Sequence, residues 1–296
     1  MAYDKSRALS KVRDEYFLSE KTPRINPKEL NLLITQALAE DIGGGDITTR
    51  LTIPENKKIR AKIIAKEDFL LCGIGVAERV FKAIDPGINF GKKTKDGRNV
   101  LAKQTIAVIT GKARSILKAE RVALNLLSLM SGVATKTRKF VKKIAPFKTK
   151  ITDTRKTIAG LRELQKYAVR TGGGYNHRMR LDEMLLIKDN HLKILGGYLN
   201  LPNIPKGYKI EIEAQSLDEF KRALRLNPDV IMLDNMKIKD IKQAVKIRGR
   251  RIFKLEASGG IHLGNIKKYA ATGVEIISVG ELTDSVESVD LSLELA

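Results

Sequence analysis

The sequence predicts an α/β protein in which a smaller N-terminal domain precedes an α/β barrel. The chain has 296 residues, about twice the length of a common domain, and 43% of them are hydrophobic, enough for a sizeable core. Its second half repeats a unit in which a short apolar run ends in a polar residue and an amphipathic helix follows. Its first half carries short strand-like runs separated by turn signals. Together these patterns favour two domains of different architecture.

The N-terminal elements can be assigned from capping and turn residues. Residues 1–25 are charged without a clear period and predict a separate arm. A first helix is expected after Asn26, because Asn26 can cap it, Pro27 suits the first helical position and Glu29 completes an Asn-x-x-Glu pattern. Gly43 begins the glycine run that ends this helix.

An α+β pattern follows this helix. The strand-like runs lie between Lys58 and Gly111 and read KIRAKIIA, FLLCG, GINFG and TIAVITG. A helix from Ala77 to Ile84 interrupts them, and helical sequence continues from Ser115 to about Lys143.

The repeated units of the second half predict parallel strands. Their strand candidates read KITDT, MLLIKDN, KIEIEAQ, DVIMLDN, FKLEASGG and VEIISVG. They recur every 21 to 35 residues, measured between the markers Asp153, Lys188, Glu213, Asp234, Glu256 and Ser278. Helices are expected between them at 157–170, 216–226, 238–247 and 265–271. Such spacing suits successive βα units, and closure into a barrel is the economical arrangement. An open doubly wound sheet is the alternative.

Polar residues that close successive strands of a barrel face one mouth, where active sites are built. The expected mouth residues are Asp153, Arg155, Lys156, Lys188, Asp189, Asn190, Glu213, Asp234, Asn235, Ser258, Gly259, Gly260 and Gly280. The small residues at 258–260 and 280 let backbone N–H groups approach a phosphate. Glu213 and Asp234 offer oxygen ligands for Mg²⁺, although a salt-bridge role for either is the simpler alternative.

Charge indicates an anionic ligand. The formal net charge is +21, and residues 136–209 contain 18 basic and 5 acidic residues, a local excess of 18 − 5 = +13. Arg155, Lys156, His177, Arg178 and Lys188 would gather at the mouth, where arginine matches carboxylates bidentately. For any single lysine, a solvated surface position is the simpler interpretation. A nucleic-acid-binding protein is an alternative of another class, but Trp is absent and aromatic residues make up only 5%.

Other chemistries find no support in the sequence. A phosphate-binding P-loop ending at Gly111-Lys112 fails at Ile106, and a dinucleotide fingerprint at Gly73 fails at Glu78. Neither H-E-x-x-H nor paired C-x-x-C occurs, and Cys72 is the single cysteine, so zinc binding and disulfides are not expected. The N-terminus lacks an apolar signal segment, and no run suits a spanning helix. We therefore expect a cytoplasmic protein without a membrane or nucleic-acid partner.

A series of motifs resembles the quinolinate phosphoribosyltransferases, the carboxylating nicotinate-nucleotide pyrophosphorylases. The matching segments are EDIGGGDITT (40–49), ERVALNLLSLMSGVAT (120–135), DTRKTIAGLR (153–162), GGGYNHR (172–178), LLIKDNH (185–191), EIEA (211–214), IMLDN (231–235), EASGGI (256–261) and ISVG (277–280). The resemblance runs in order from about Asn26 to the C-terminus. Each motif alone is weak, but the ordered combination is specific.

The resemblance implies a fold and a reaction. It implies an N-terminal α/β sandwich domain over 26–135, joined by a C-terminal tail at 283–296. An open α/β barrel of the type II phosphoribosyltransferase kind would cover 136–282. The reaction would transfer phosphoribosyl from phosphoribosyl pyrophosphate to quinolinate with decarboxylation, giving nicotinate mononucleotide, CO₂ and pyrophosphate with Mg²⁺.

The resemblance also implies site residues. Quinolinate would be held by Arg155, His177, Arg178 and Lys188, and by Arg121 from a neighbouring subunit of a homodimer or higher homo-oligomer. Phosphoribosyl pyrophosphate would be held by Lys156, Lys188, Glu213, Asp234, Ser258, Gly259, Gly260, Ser278 and Gly280, with Glu213 and Asp234 binding the metal. Ala159 and Arg180 depart from the residues usual in the family, and Arg180 bears on substrate selectivity. A related phosphoribosyltransferase for a mono-carboxylate such as nicotinate, or a paralogue linked to molybdate transport, is the alternative within the fold.

Overall fold

The computed structural model describes residues 25–197 and 207–296, so the predicted arm at 1–25 lies almost wholly outside the described residues. The helices in the described residues are α1 (Pro27–Ile42), α2 (Ile47–Thr52), α3 (Ile74–Ile84), α4 (Ala113–Lys143), α5 (Arg162–Thr171), α6 (Asp189–Leu195), α7 (Leu217–Ala223), α8 (Ile238–Arg248) and α9 (Ile266–Ala270), with short 3₁₀ turns at Leu224–Leu226 and Gly280–Leu282. The strands are β1 (Lys58–Ala65), β2 (Phe69–Leu70), β3 (Asn89–Lys92), β4 (Asn99–Val100), β5 (Thr105–Lys112), β6 (Lys150–Thr152), β7 (Leu185–Ile187), β8 (Ile210–Ala214), β9 (Val230–Asp234), β10 (Lys254–Ser258), β11 (Ile276–Ser278) and β12 (Leu291–Leu295).

The described residues form two compact groups. The first, called the N-terminal unit below, contains residues 25–138, 158–173 and 285–296. The second, called the barrel unit, contains residues 139–157, 174–197 and 207–284. The division between residues 138 and 139 falls inside α4, three residues beyond the end of the N-terminal domain expected at 135.

The N-terminal unit is built on an antiparallel four-stranded sheet in the order β12-β1-β5-β3. Val80 and Phe81 of α3 are completely buried, and the Phe81 ring lies 5.6 Å from the ring of Phe90 on β3. Strand β12 pairs with β1 along Ala61–Ala65, so the last residues of the chain form one edge of this sheet. Cys72 is buried, and its N–H donates to the Ser131 hydroxyl.

The start of α1 differs in detail from the sequence pattern. The side chain of Asn26 accepts the N–H of Lys28 and caps the helix as expected. Its own N–H, however, donates to the carboxylate of Glu163 on α5 at 2.6 Å, and not to Glu29. The Asn-x-x-Glu pattern therefore predicts the cap correctly, while the reciprocal bond is supplied by a residue distant in sequence.

The barrel unit contains a parallel six-stranded sheet in the order β6-β11-β10-β9-β8-β7. Each strand from β7 to β10 pairs with its successor, and β11 returns to pair with β6. This cyclic order lacks the reversal of a doubly wound sheet and confirms an open α/β barrel. The opening lies between β6 and β7, where Tyr175 makes an isolated parallel bridge to Thr152. Met184, Leu186, Val230, Met232 and Ile276 form a buried core cluster.

Helix α5 groups with the N-terminal unit, whereas the sequence analysis assigned it to the barrel domain. Hydrogen bonds to residues of the N-terminal unit explain this placement. The Tyr167 hydroxyl donates to Asp96 at 3.0 Å, and the Arg138 guanidinium donates to the carbonyls of Thr171 and Gly172. Periodicity predicts that a helix exists here, but not which neighbours its polar groups will find.

None of the helices in the described parts of the chain is both long enough and apolar enough to cross a membrane.

Candidate active site

A cavity of about 740 Å³ opens in the barrel unit, where the strands end. It is lined by every residue that the resemblance assigned to substrate or metal within one chain, but not by Asp189 and Asn190, which were also expected at the mouth. The assigned residues in the lining are Arg155, Lys156, His177, Arg178, Lys188, Glu213, Asp234, Ser258, Gly259, Gly260, Ser278 and Gly280. Arg121, which the resemblance assigned to the pocket of a neighbouring subunit, is exposed on α4 and does not belong to the cavity wall of its own chain. The convergence follows from parallel strands, whose carboxyl ends share one face.

Asp153 positions the segment that carries His177 and Arg178. Its side chain is completely buried at the end of β6. One carboxylate oxygen accepts the N–H of His177 at 2.9 Å, and the other accepts the side-chain amide of Asn176. The N–H of Asp153 donates to the carbonyl of Tyr175 at 3.1 Å. Asp153 was expected at the mouth, but the structure makes it an internal anchor of this segment.

Two arginines form the basic wall of the cavity. Nη1 of Arg178 donates to the carbonyl of Met184 at 2.8 Å, which fixes the direction of the guanidinium. Burial and the like charge of Arg155 lower the pKa of Arg178. Within the described residues, the buried Nε of Arg155 has no hydrogen-bond partner. Two neighbouring arginines, one of them with an unused buried donor, make a site for an anion with more than one acceptor oxygen.

Carboxylates occupy the ends of the next two strands. Glu213 of β8 is 8% exposed, and burial together with the negative charge of Asp234 on β9 raises the pKa of its carboxyl. Nζ of Lys188 lies 3.7 Å from Glu213 Oε2. The side-chain amide of Asn235 donates to Asp234 at 2.8 Å. Glu213 and Asp234 are therefore a suitable oxygen donor pair for a divalent cation, whose charge would stabilise the ionised form of Glu213.

The turn after β10 requires glycine for steric reasons. Gly259 has a φ of +89°, and a Cβ atom there would lie 2.3 Å from Oδ1 and 2.8 Å from the backbone N of Asn235. The same backbone N donates to the carbonyl of Ser258 at 2.9 Å. At Gly280, a Cβ would lie 2.9 Å from Oδ2 of Asp284. These positions keep the backbone open to a closely bound group such as a phosphate.

A buried acidic pair lies beneath this cavity and was not predicted as part of the site. Glu211 and Glu256 are completely buried, and one oxygen from each lies within 4.8 Å of the other and of a ring nitrogen of His177. Nε2 of His177 is 3.0 Å from Glu211 Oε2 and 3.8 Å from Glu256 Oε1. Burial and the charge of Glu211 raise the pKa of Glu256 to about 8. The alternation of side chains along a strand could have revealed both, because Glu211 lies two residues before Glu213, and Glu256 two residues before Ser258.

Two family models cover nearly all of the described chain. Residues 46–131 match the N-terminal domain of quinolinate phosphoribosyl transferase, and residues 133–294 match its C-terminal domain.

Whole-chain relatives agree with these matches. The chain is 43% identical over 275 residues to the probable nicotinate-nucleotide pyrophosphorylase [carboxylating] of Methanocaldococcus jannaschii, covering 89% of this chain and 96% of that protein. It is 38% identical over 269 residues to the Synechocystis protein described in the same words, covering 88% and 91%. The solved structure of the nicotinate-nucleotide pyrophosphorylase from Francisella tularensis superimposes with a TM-score of 0.88 at 40% identity, covering 93% of this chain and 99% of that one. This chain therefore belongs to the quinolinate phosphoribosyltransferase family.

Proposed function

We infer that this protein transfers the phosphoribosyl group of phosphoribosyl pyrophosphate to quinolinate and decarboxylates the product, giving nicotinate mononucleotide, CO₂ and pyrophosphate. This reaction belongs to de novo NAD biosynthesis. The observation that carries the proposal is the juxtaposition, around one cavity, of paired arginines, paired carboxylates and a glycine turn. The paired arginines suit the two carboxylates of a pyridine dicarboxylate. The paired carboxylates and the glycine turn suit a metal-bound pyrophosphate ester.

Arg155, Arg178 and Lys188 would hold the two carboxylates of quinolinate. The fork of arginine matches a carboxylate with two parallel hydrogen bonds, and partial burial strengthens the attraction. His177 stands beside them in the cavity wall. Nδ1 of His177 accepts the main-chain N–H of Arg178 at 2.8 Å, and Nε2 faces Glu211. The chief contribution of His177 to quinolinate binding is therefore to hold Arg178 in position.

Phosphoribosyl pyrophosphate would lie across the opposite strand ends. Lys156 and Lys188 would contact its phosphates, while residues 258–260, 278 and 280 would supply backbone N–H groups and hydroxyls. Glu213 and Asp234 fit a divalent cation, because both offer only oxygen ligands and the charge of Asp234 helps to raise the pKa of Glu213. When bound, Mg²⁺ would neutralise the pyrophosphate leaving group.

The proposed site performs electrostatic catalysis. The pyridine nitrogen of quinolinate is the nucleophile and carries no proton, so no activating base is required. The cations hold two anionic reactants close together and in line, while C1 of the ribose becomes oxocarbenium-like. After transfer, the positive ring nitrogen stabilises the electron pair that remains at C2 when the adjacent carboxylate leaves as CO₂.

The test is an assay of pyrophosphate release with purified protein, phosphoribosyl pyrophosphate and Mg²⁺. We expect release with quinolinate, loss of that release with EDTA, and much slower release with nicotinate. Preference for nicotinate would support the mono-carboxylate alternative. Salt-sensitive binding of duplex DNA or tRNA without any release would favour the nucleic-acid alternative.

A homodimer with shared sites is part of this proposal, as is a cytoplasmic location. Arg121 would complete the quinolinate pocket of a neighbouring subunit, because it is an exposed arginine outside the cavity wall of its own chain. Mixing inactive Arg121→Ala and Arg178→Ala chains tests this. If the site is shared, half of the dimers formed by random mixing contain one chain of each kind, and each of these has one intact site out of two. We therefore expect recovery of about a quarter of the wild-type activity. Without shared sites, the mixture would stay inactive.

A further inference from the structure

The cavity floor contains an acid that the proposed transfer reaction does not use. Glu256 lines the cavity, yet its side chain is only 1% exposed. The groups that face it are Glu211 from β8, His177 and the Ser278 hydroxyl of β11, whereas the paired residue Met232 on β9 is apolar. Neither Glu211 nor Glu256 has a hydrogen bond of good geometry within the described residues.

The charges of this buried cluster indicate that one of its two carboxyl groups carries a proton. Nδ1 of His177 accepts the main-chain N–H of Arg178, so Nε2, which faces Glu211, is the ring nitrogen that can carry a proton. Two buried carboxylates with oxygens within 4.8 Å of each other would repel strongly if both were ionised, and the charge of His177 offsets only part of this repulsion and of the cost of burial. Such a pair shares one proton, as paired carboxylates in other proteins do. Because Glu256 reaches the cavity and Glu211 faces the histidine, the geometry assigns the proton to Glu256.

The proposed reaction needs a proton at one defined carbon. Loss of CO₂ breaks the bond between C2 and its carboxylate, and the electron pair of that bond stays on C2. The product carries hydrogen at C2, so one proton must arrive there in every turnover. An acid in a cavity closed by substrate does this faster than bulk water.

We propose that Glu256 is the catalytic acid that protonates C2 of the pyridine as the carboxylate departs. The carboxyl O–H bond of Glu256 breaks, its proton forms the new C2–H bond, and Glu256 is left as a carboxylate beside Glu211. The repulsion between the two carboxylates then favours uptake of a proton from solvent before the next cycle. This assignment rests on the proposed function, because it needs quinolinate in the cavity.

The test separates the two chemical steps. Glu256→Gln keeps the shape of the side chain but removes the acid. With quinolinate labelled in its 2-carboxylate, the variant should release labelled CO₂ about 10² to 10⁴-fold more slowly than wild type. Pyrophosphate release in a single turnover should stay within roughly threefold, and the undecarboxylated mononucleotide should accumulate, since transfer does not use this proton. Glu55→Gln, the same change at an exposed site, should leave both rates unchanged.

Three results would overturn the assignment. One is an unchanged rate of CO₂ release in Glu256→Gln. Another is an equal loss of CO₂ and pyrophosphate release, which would give Glu256 a structural role only. The third comes from the pH dependence of the wild-type reaction, so it does not depend on whether a variant folds. The ratio of released CO₂ to released pyrophosphate should fall as the pH rises past about 8, because Glu256 loses its proton there. A constant ratio would contradict the proposal. Wild-type protein that releases no pyrophosphate at all would instead contradict the proposed function.

Discussion

The main-chain N–H of His177 donates to the buried carboxylate of Asp153 at 2.9 Å, and this bond ties the segment with His177 and Arg178 to the end of β6. The same carboxylate also accepts the amide of Asn176, so two hydrogen bonds hold the basic wall of the cavity in place.

Asp153→Ala should therefore weaken quinolinate binding without removing any group that touches it. Loss of a buried charged acceptor should lower the free energy of unfolding by about 1.5 to 3 kcal/mol. We expect the KM for quinolinate to rise more than the KM for phosphoribosyl pyrophosphate. Asp153→Asn should be milder, because it retains one acceptor. Steady-state kinetics with each substrate in turn checks this, and equal rises in both KM values would indicate a general loss of structure.

Arg178 should be far more sensitive to substitution than its neighbour Arg180. Arg178→Ala should cost about 2 to 4 kcal/mol of transition-state stabilisation, by analogy with the loss of one oxyanion donor. In kcat/KM this is a fall of about 30 to 1,000-fold. Arg178→Lys should recover little, because lysine cannot bind a carboxylate bidentately.

Arg180 provides the matched control. Its side chain is 66% exposed, and the ion pairs that it makes within the described residues are long contacts, at 4.0 Å, with Asp182 and Glu183. It does not line the cavity, so Arg180→Ala should change kcat/KM by less than about threefold. A large shift in the preference between quinolinate and nicotinate in this variant would show that Arg180 does affect selectivity.

The sequence predicts the barrel well because each of its strands is a nearly continuous apolar run that ends in a polar residue. That pattern locates all six strands, from Lys150–Thr152 to Ile276–Ser278, and also the side chains at their carboxyl ends. Helix α6 escaped prediction because its first turn, at Asp189, consists of polar residues that also suit a loop. The pairing of β12 with β1 joins segments far apart in the chain, so no local period indicates it, and only the family resemblance implied that the C-terminal tail joins the N-terminal domain.

The deeper part of the site was missed for a different reason. Glu211 and Glu256 lie within apolar strands, where a charged residue is ordinarily placed at the surface. Only the position of Glu213 two residues later indicates that Glu211 points into the barrel. Likewise, the grouping of α5 with the N-terminal unit depends on partners such as Asp96 and Asn26, which come close to this helix only in the folded chain.

Gly259 should not tolerate even alanine. Its φ of +89° lies in the left-handed region, and an added Cβ would lie 2.8 Å from the backbone N of Asn235, which cannot rotate away. We expect Gly259→Ala to lose about 1 to 3 kcal/mol of stability, with a raised KM for phosphoribosyl pyrophosphate. Gly44→Ala is the control, because no atom of the described residues lies within 4 Å of its added Cβ. Urea unfolding of both variants gives the comparison, and equal midpoints would show that the 258–260 turn can relax.

Glu256 should make the stability of the protein depend on pH in a defined direction. Its pKa is raised from 4.5 to about 8 in the folded protein, so between these values the folded state binds a proton that the unfolded chain has released. The stability linked to Glu256 is therefore fully present below about pH 4.5, declines through this window and is lost above pH 8. The total change is of the order of a few kcal/mol. Glu256→Gln cannot ionise, so its free energy of unfolding, measured in urea at several pH values, should fall less steeply than that of wild type. Parallel curves for the two proteins would mean that Glu256 is ionised in the folded state, and the proton at the cavity floor would then have to be assigned elsewhere.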